Sequence, residues 1–421
     1  MRYYRITIIG FINKYIKIMD WIESDSYLKG IINNKPKLHD PVRVASFDLD
    51  DTLIVRSKKT QKWKLVDSSI KQKIAELIEN KYIIIVFTNQ GGMSLNKKFD
   101  KPLWRKAMDD LVKILTSETD NDFYFAIYVA KKYDIYRKPN IGLWNLMKQD
   151  IKDEFNLDSV QISTKSFFCG DAAGRIYPSM FKKKLYPTSK GGDFSDTDRK
   201  FALNIGIKFL TPEEFYLDSK NSENLKTNYK LSGVNPTEII DEIENTKLVN
   251  YKFKPRKKEM IVMIGQPGSG KSFFVKNYIL PNGYVHINQD KCKTKAKCLS
   301  ETENALSKGK SVVIDNTNPD VISRMTYTNL AKENNYDHVR AIIMETPDEL
   351  AKHLNNVRHI YSSGTVPKVT DIAYNIYRKN FVLPQYEENF DKIETVTFYF
   401  DKSMLDDPKW KRSFMKFSEY K

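Results

Sequence analysis

The chain has 421 residues, more than one hydrophobic core usually organises, so two domains of roughly 150 to 200 residues are expected. An apolar content of 41% with 29% charged residues excludes wholesale disorder, and 69 Lys and Arg against 53 Asp and Glu leave a net charge of +16 that attracts polyanions, nucleic acid first among them. Three cysteines, Cys169, Cys292 and Cys298, form no even disulfide framework and no paired zinc-ligand motif, which points to a reducing intracellular compartment, nucleus or cytoplasm. A coding bias toward Lys, Asn and Ile would produce the same positive excess, so charge alone does not decide the partner.

Residues 1–40 read as an N-terminal arm. Its apolar stretch, 6–18, is interrupted by Asn13, Lys14 and Lys17, is too short to span a bilayer, lacks a small-residue cleavage site and would be lost on translation from Met19. From there the elements alternate. Residues 42–47, broken only by Arg43, read as a mostly buried strand that ends in carboxylates, and 81–87 repeat the design. Between them Ile70, Ile74, Leu77 and Ile78 fall at helical spacing. Strand, helix, strand predicts a parallel sheet with its chemistry at the strand C-termini. Further strands are expected at 123–129 and 165–169. Apolar density falls around 218–250, which suits a partly helical connector. A second unit of strand, loop and helix then opens at 259–264, with strands at 284–287, 311–314 and 339–344. The expected fold class is α/β, with two doubly wound parallel-sheet domains at 41–220 and 259–421, joined by a connector at 221–258.

Two phosphate-handling signatures sit on these strands. In the first, Phe47-Asp48-Leu49-Asp50-Asp51-Thr52 places Asp48 and Asp50 two residues apart at a sheet edge. There Mg²⁺, which wants hard oxygen ligands, can bridge carboxylate and carbonyl oxygens. A carboxylate so placed can attack phosphorus to form an acyl phosphate, while a second protonates the leaving oxygen and later activates water. Three matching parts follow in order. Phe87-Thr88-Asn89-Gln90 offers a hydroxyl and an amide to a phosphate, Arg137-Lys138-Pro139 offers cationic donors, and Phe168-Cys169-Gly170-Asp171 ends a strand in a metal-seeking carboxylate.

In the second signature, Gly265-Gln266-Pro267-Gly268-Ser269-Gly270-Lys271-Ser272 satisfies G-x-x-x-x-G-K-[ST] after an apolar strand. Glycines Gly265, Gly268 and Gly270 let backbone N–H groups turn inward on phosphate oxygens, Lys271 spans the β- and γ-phosphates, and the Ser272 hydroxyl ligates Mg²⁺. ATP or another nucleoside triphosphate is the expected ligand. Asp290, closing Val285-His286-Ile287-Asn288-Gln289-Asp290, can accept a hydroxyl proton during transfer, and Asp315 is a competing candidate at the next strand end. Arg358 lies on a polar helix-like segment, where an arginine can stabilise a transferring phosphoryl group or simply be solvated.

The first half, about 42–217, resembles the haloacid-dehalogenase-type phosphohydrolases. That resemblance implies Asp48 as nucleophile, Asp50 as acid/base, Thr88 and Lys138 as phosphate binders, and Asp171 as a metal ligand beside Asp48 and the Asp50 carbonyl. Asp51 stands where such proteins often carry Gly, and its carboxylate could perturb the turn. Over roughly 42–400 the order of domains, with FDLDDTLI, FTNQ, YRKP, SFFCGDAAGR, DFSDTDRKFALNIGIKFLTPEEF, GYVHINQD and IDNTNPD, is similar to the animal-type bifunctional polynucleotide kinase 3′-phosphatases. The resemblance implies removal of 3′-phosphate from nucleic-acid ends, with DNA or RNA left open, together with ATP-dependent phosphorylation of 5′-hydroxyl ends and a functional link to a ligase. It makes Asp290 the kinase base and Arg358 a lid residue. Gln289 sits where relatives often have Arg. Only about 40 residues precede the phosphatase, so the forkhead-associated module and the scaffold recruitment it serves are not expected.

The lysines at 182–184, flanked by Phe181 and Tyr186, and those at 291, 293, 295 and 297 could grip backbone phosphates, or lie on plain solvated loops. The basic stretch 252–258 suits nuclear import, a nucleic-acid contact or a simple connector. No membrane-facing feature is present. Two other readings fit the same residues: a phosphatase and kinase pair acting on small nucleotides or metabolites, and an end-binding scaffold with one degenerate site.

Overall fold

In the computed structural model, which describes residues 19–56, 62–96, 99–120, 122–176, 192–216, 229–245, 252–397 and 402–420, the chain divides into two units, Met1–Lys230 and Leu231–Lys421. The strands of the first are β1 (Asp20–Glu23), β2 (Tyr27–Asn33), β3 (Arg43–Phe47), β4 (Ile54–Arg56), β5 (Trp63–Leu65), β6 (Tyr82–Asn89), β7 (Tyr124–Ala130), β8 (Phe167–Cys169) and β9 (Lys208–Leu210). All but β4 and β5 join one sheet in the order β1-β2-β7-β6-β3-β8-β9. From β7 to β9 the strands run parallel. Parallel strands buried on both faces need apolar residues at successive positions rather than in alternation, and β6 and β7 have them. Ile84 and Val86 face one core cluster with helices Ile70–Glu79 and Lys101–Leu115, while Ile83, Ile85 and Phe87 face another with helices Gly142–Glu154 and Thr197–Ile205.

The N-terminal arm expected at 1–40 differs. Its described part contributes β1 and β2: β1 pairs antiparallel with β2, and β2 pairs antiparallel with β7. The pairing is held by packing that strand patterns do not reveal: Trp21 lies opposite Gly30, and a Cβ at Gly30 would stand 2.7 Å from the indole ring. Within the connector, which the sequence marks as partly helical, Pro236–Asn245 forms a helix, and Ile240 on it is buried with Val357, Trp410 and Phe414.

The second unit holds β10 (Glu259–Ile264), β11 (Val285–Ile287), β12 (Val312–Ile314), β13 (His338–Glu345) and β14 (Lys392–Thr397), all parallel, in the order β11-β12-β10-β13-β14. The loops that follow β10, β11, β12 and β13 therefore open at one edge, the crevice in which open α/β sheets bind ligands. A buried ion pair fastens its outer layer: Arg324, fully buried, donates from Nε to Glu388 Oε2 at 2.7 Å and from Nη2 to Oε1 at 2.8 Å. Its Nη1 donates to the carbonyls of Pro319 and Val382, each at 2.9 Å. Among the described residues no helix is long and apolar enough to cross a membrane.

Removing one partner of such a pair leaves a buried charge alone. Arg324→Ala is expected to destabilise the second unit by about 3–5 kcal/mol, read as a lower denaturant midpoint for that unit.

Candidate active sites

Strand β3 carries the chain to the first site. The Asp48 N–H donates to Cys169 O at 2.8 Å, so the two strand ends that carry Asp48 and Asp171 remain locked side by side. Asp51 then adopts φ +56°, with its N–H bonded to Ile54 O at 2.7 Å. This left-handed conformation explains the usual preference for Gly there, and Asp is among the few residues that tolerate it. The turn forms with Asp51 in place.

Lys138 organises the carboxylates. Its Nζ, on a residue 1% exposed, donates to Asp48 Oδ1 at 2.6 Å and Asp198 Oδ1 at 2.7 Å. Burial pulls the ammonium pKa down, but Asp198 and Asp48 outweigh it and hold the group above its ordinary value. The backbone around it is buckled from two sides. Asn89 Oδ1 accepts from Lys138 N at 3.0 Å and Asn89 Nδ2 donates to Lys138 O at 3.1 Å, while Asn204 Nδ2 donates to Pro139 O at 2.9 Å. The expectation of a phosphate-binding amide at Asn89 is thus corrected: both ends of that amide engage the Lys138 backbone.

Thr88, at the end of β6 and buried, accepts from Gln90 Nε2 at 3.0 Å, and the same amide donates to Asp50 Oδ2 at 2.6 Å. The other Asp50 oxygen, Oδ1, lies 3.3 Å from Arg56 Nε. Arg137 stacks its guanidinium 4.2 Å from the centre of the Tyr133 ring.

Asp48, Asp171 and Asp198 each offer a carboxylate oxygen, and the three lie within 4.8 Å of one another. With Lys138 as the cation bridging two of them, burial first and the neighbouring carboxylates next raise Asp48 to about 7, against the pull of Lys138, and lift Asp171 well above the usual carboxylate range. Oxygen-only donors crowded at this spacing fit a hard divalent cation, whose charge would relieve both shifts. The expected set was the Asp48 and Asp171 carboxylates with the backbone carbonyl of Asp50. The Asp50 carboxylate turns to Gln90 and Arg56, in keeping with a carbonyl rather than a carboxylate contribution from that residue, and Asp198 adds a third carboxylate with its Oδ2 accepting from Ala172 N at 3.0 Å. Sequence reading missed Asp198 because it opens a helix rather than ending a strand; its one signal is its place within the DFSDTDRKF stretch. Gly170 makes the approach feasible, since a Cβ there would run into the Asp198 carboxylate. Arg175 braces the loop, donating from Nη2 to Asp171 O at 3.0 Å and from Nε to Asp193 Oδ2 at 2.8 Å, and it pairs with Glu213.

The second site follows β10. Gly268 and Gly270 have φ +75° and +88°, and a Cβ on Gly268 would collide with the Ala351 carbonyl. Lys271 Nζ donates to the carbonyls of Gly265 and Gln266, each at 2.8 Å, and burial lowers its pKa to about 8. The loop borders a cavity of about 610 Å³ that Lys271, Ser272, Asp290, Asp315 and Arg358 share. Asp290 is exposed on a short helix after β11, with its N–H bonded to Asn288 Oδ1 at 2.9 Å. Arg358, on helix Asp348–Tyr361, is exposed and donates to Asn355 Oδ1 at 3.2 Å. Asp315, 2% exposed, has Oδ2 at 3.0 Å from His286 Nε2, while its Oδ1 has no partner among the described residues. The lysines at 291, 293, 295 and 297 are exposed beside Asp290; the run at 181–186 lies outside the described residues.

Residues 43–216 match the family Polynucleotide kinase 3 phosphatase, and residues 260–381 match the AAA domain. A bifunctional polynucleotide phosphatase/kinase of Schizosaccharomyces pombe is 33% identical over 86% of this chain and 81% of that protein. The chain belongs to the bifunctional polynucleotide phosphatase/kinase family. Within it, the phosphatase domain precedes the kinase domain, and each carries one of the two sites described above. Single-function proteins resemble the first domain: a polynucleotide 3′-phosphatase of Saccharomyces cerevisiae is 25% identical over 42% of this chain and 87% of that protein.

The carboxylate cluster requires Gly170. Gly170→Ala is expected to push Asp198 away and lower phosphatase turnover at least about a hundredfold, since a displacement of about an ångström at a reacting centre costs that much. Turnover and denaturant unfolding, measured side by side, check that the loss arises with the fold retained.

Proposed function

We propose that this chain removes the 3′-phosphate from polynucleotide ends through an aspartyl phosphate on Asp48, and phosphorylates 5′-hydroxyl ends with ATP. DNA and RNA ends are its substrates, in nucleus or cytoplasm, and its product suits a ligase. What supports this reading is that Asp48, Asp171 and Asp198 bring carboxylate oxygens within 4.8 Å of one another while Lys271, Ser272, Asp290 and Arg358 line one cavity, in a family whose fission-yeast member is named for both activities.

In the phosphatase, an Asp48 carboxylate oxygen attacks phosphorus and the bond to the ribose 3′-oxygen breaks. Asp50, steadied by Gln90, gives that oxygen its proton. Asp50 then takes a proton from water, whose oxygen attacks the acyl phosphate, releasing inorganic phosphate and restoring Asp48. Lys138 fixes the attacking carboxylate and, with Thr88 and Arg137, offers donors to the phosphoryl oxygens. A cation held by Asp48, Asp171 and Asp198, which we take to be Mg²⁺, would offset negative charge on those oxygens. In the kinase, Asp290 accepts the 5′-hydroxyl proton as that oxygen attacks the γ-phosphorus and ADP departs. Lys271 exchanges its carbonyl partners for phosphate oxygens, Ser272 would hold the accompanying cation, and Arg358 meets the transferring group.

Matched DNA and RNA strands bearing 3′-phosphate and 5′-hydroxyl, incubated with Mg²⁺ and ATP, separate the two products. Asp48→Asn is expected to abolish 3′-phosphate release by at least about a thousandfold while 5′ phosphorylation continues, and Lys271→Ala to do the reverse. Loss of both activities in one folded variant would defeat the two-site reading, and equal turnover of free nucleotides would favour a small-molecule enzyme. Neutralising the lysines at 291–297 is expected to raise the half-saturating polynucleotide concentration several-fold, with that of ATP unchanged. Its salt dependence should flatten by about one unit of slope for each backbone phosphate that no longer meets a lysine.

A further inference from the structure

We propose that Arg56 and the indole N–H of Trp104 form an anion subsite on the leaving-strand side of Asp50, one that takes the internucleotide phosphate next to the 3′-terminal phosphate. The inference rests on the phosphatase reading above. Arg56 ends β4, which leaves the turn after Asp50 and pairs with β5. Its guanidinium turns back toward the acid, with Nε at 3.3 Å from Asp50 Oδ1. That contact is not aligned as a hydrogen bond, and Nε and Nη2, both shielded from water, have no acceptor among the described residues. The guanidinium carbon lies 6.0 Å from the centre of the Trp104 ring. Trp104, 4% exposed, also leaves its Nε1 without an acceptor. Donors without a partner are costly to bury, both groups are donors only, and they belong to neighbouring side chains. What completes them is an acceptor, and beside a guanidinium an anion is favoured.

The phosphate being transferred does not fill this role. It belongs at Asp48, between Lys138 and Thr88. An acid that protonates the ribose oxygen must stand on the far side of the breaking bond, and Asp50 holds Gln90 on one oxygen and Arg56 near the other. A cation there meets the departing strand, whose next anion is the internucleotide phosphate. The planar fork of arginine suits phosphate oxygens, and such a contact positions a strand without reading its sequence. The subsite makes the phosphatase favour strand ends over 3′-mononucleotides and small esters.

The test compares kcat/KM of the full chain on a 3′-phosphorylated trinucleotide, the same trinucleotide with a neutral methylphosphonate at its last linkage, and p-nitrophenyl phosphate. Neutralising the linkage is expected to cost the wild type roughly 10- to 100-fold. Arg56→Gln should cost about as much on the ordinary strand, the two changes together should cost no more than either alone, and the loss on p-nitrophenyl phosphate should be much smaller. Arg56→Lys and Trp104→Phe, each checked for an unchanged unfolding midpoint, should give intermediate losses on the strand. Equal losses on all three substrates, or additive losses from linkage and variant, overturn the subsite and leave Arg56 as a partner of Asp50. Wild-type release that ignores the neutral linkage overturns it alone, whereas no release from any strand removes the phosphatase reading as well.

Discussion

The ammonium of Lys138, lodged between Asp48 and Asp198, is the interaction on which the phosphatase centre depends. Three carboxylates cannot crowd together away from water unless positive charge offsets them. Lys138 supplies one such charge from the chain itself and thereby draws together β3, the loop after β7 and the helix Thr197–Ile205. Everything nearby serves that placement: Asn89 and Asn204 fix the backbone carrying the ammonium, Gly170 clears room for Asp198, and Arg175 pins the loop of Asp171. The kinase centre solves the same electrostatic problem differently. Lys271 rests on carbonyls of its own loop, so its charge is kept in place by backbone dipoles.

Much of this was legible in the sequence because both chemistries sit at the ends of parallel strands. A continuous apolar run followed by carboxylates or by a glycine loop states at once which strand is buried and which end reacts. Asp48, Asp171, Lys271 and Asp315 all follow such runs, and the structure sets Asp48 and Asp315 directly after strands, Asp171 two residues beyond one, and Lys271 at the helix start that the glycine loop leads into. Asp198 obeyed no such rule. Its place at the site comes from how a helix docks across the sheet, a tertiary outcome that local pattern does not encode. Arg56 was hidden for a related reason, since a short hairpin aims it. Asn89 shows the opposite error: an amide beside the Thr88 hydroxyl looks like a ligand donor until its two bonds to the Lys138 backbone are seen.

The positive charge of the chain gains meaning from where the described lysines lie. Those at 291, 293, 295 and 297 cluster around the turn and helix start that follow Asp290, and their side chains are exposed. An acceptor strand drawn to them would arrive with its end near Asp290, the proposed base, so that attraction and the proposed chemistry would act at one place. The ion pairs elsewhere on the surface, such as Lys101 and Arg105 with Glu23, neutralise themselves locally and offer nothing comparable.

The two N-terminal strands carry a practical corollary for anyone dissecting the protein. Strand β7 is buried along its whole length, and β2 lies hydrogen-bonded along one side of it. The family match begins at residue 43, beyond both strands. A phosphatase excised at that limit would retain every reacting group yet lay bare a seven-residue ribbon of unpaired amides and carbonyls flanked by Phe125, Ile127 and Val129, the kind of adhesive rim through which neighbouring molecules stack. The natural cut for an independent catalytic fragment therefore falls ahead of Asp20.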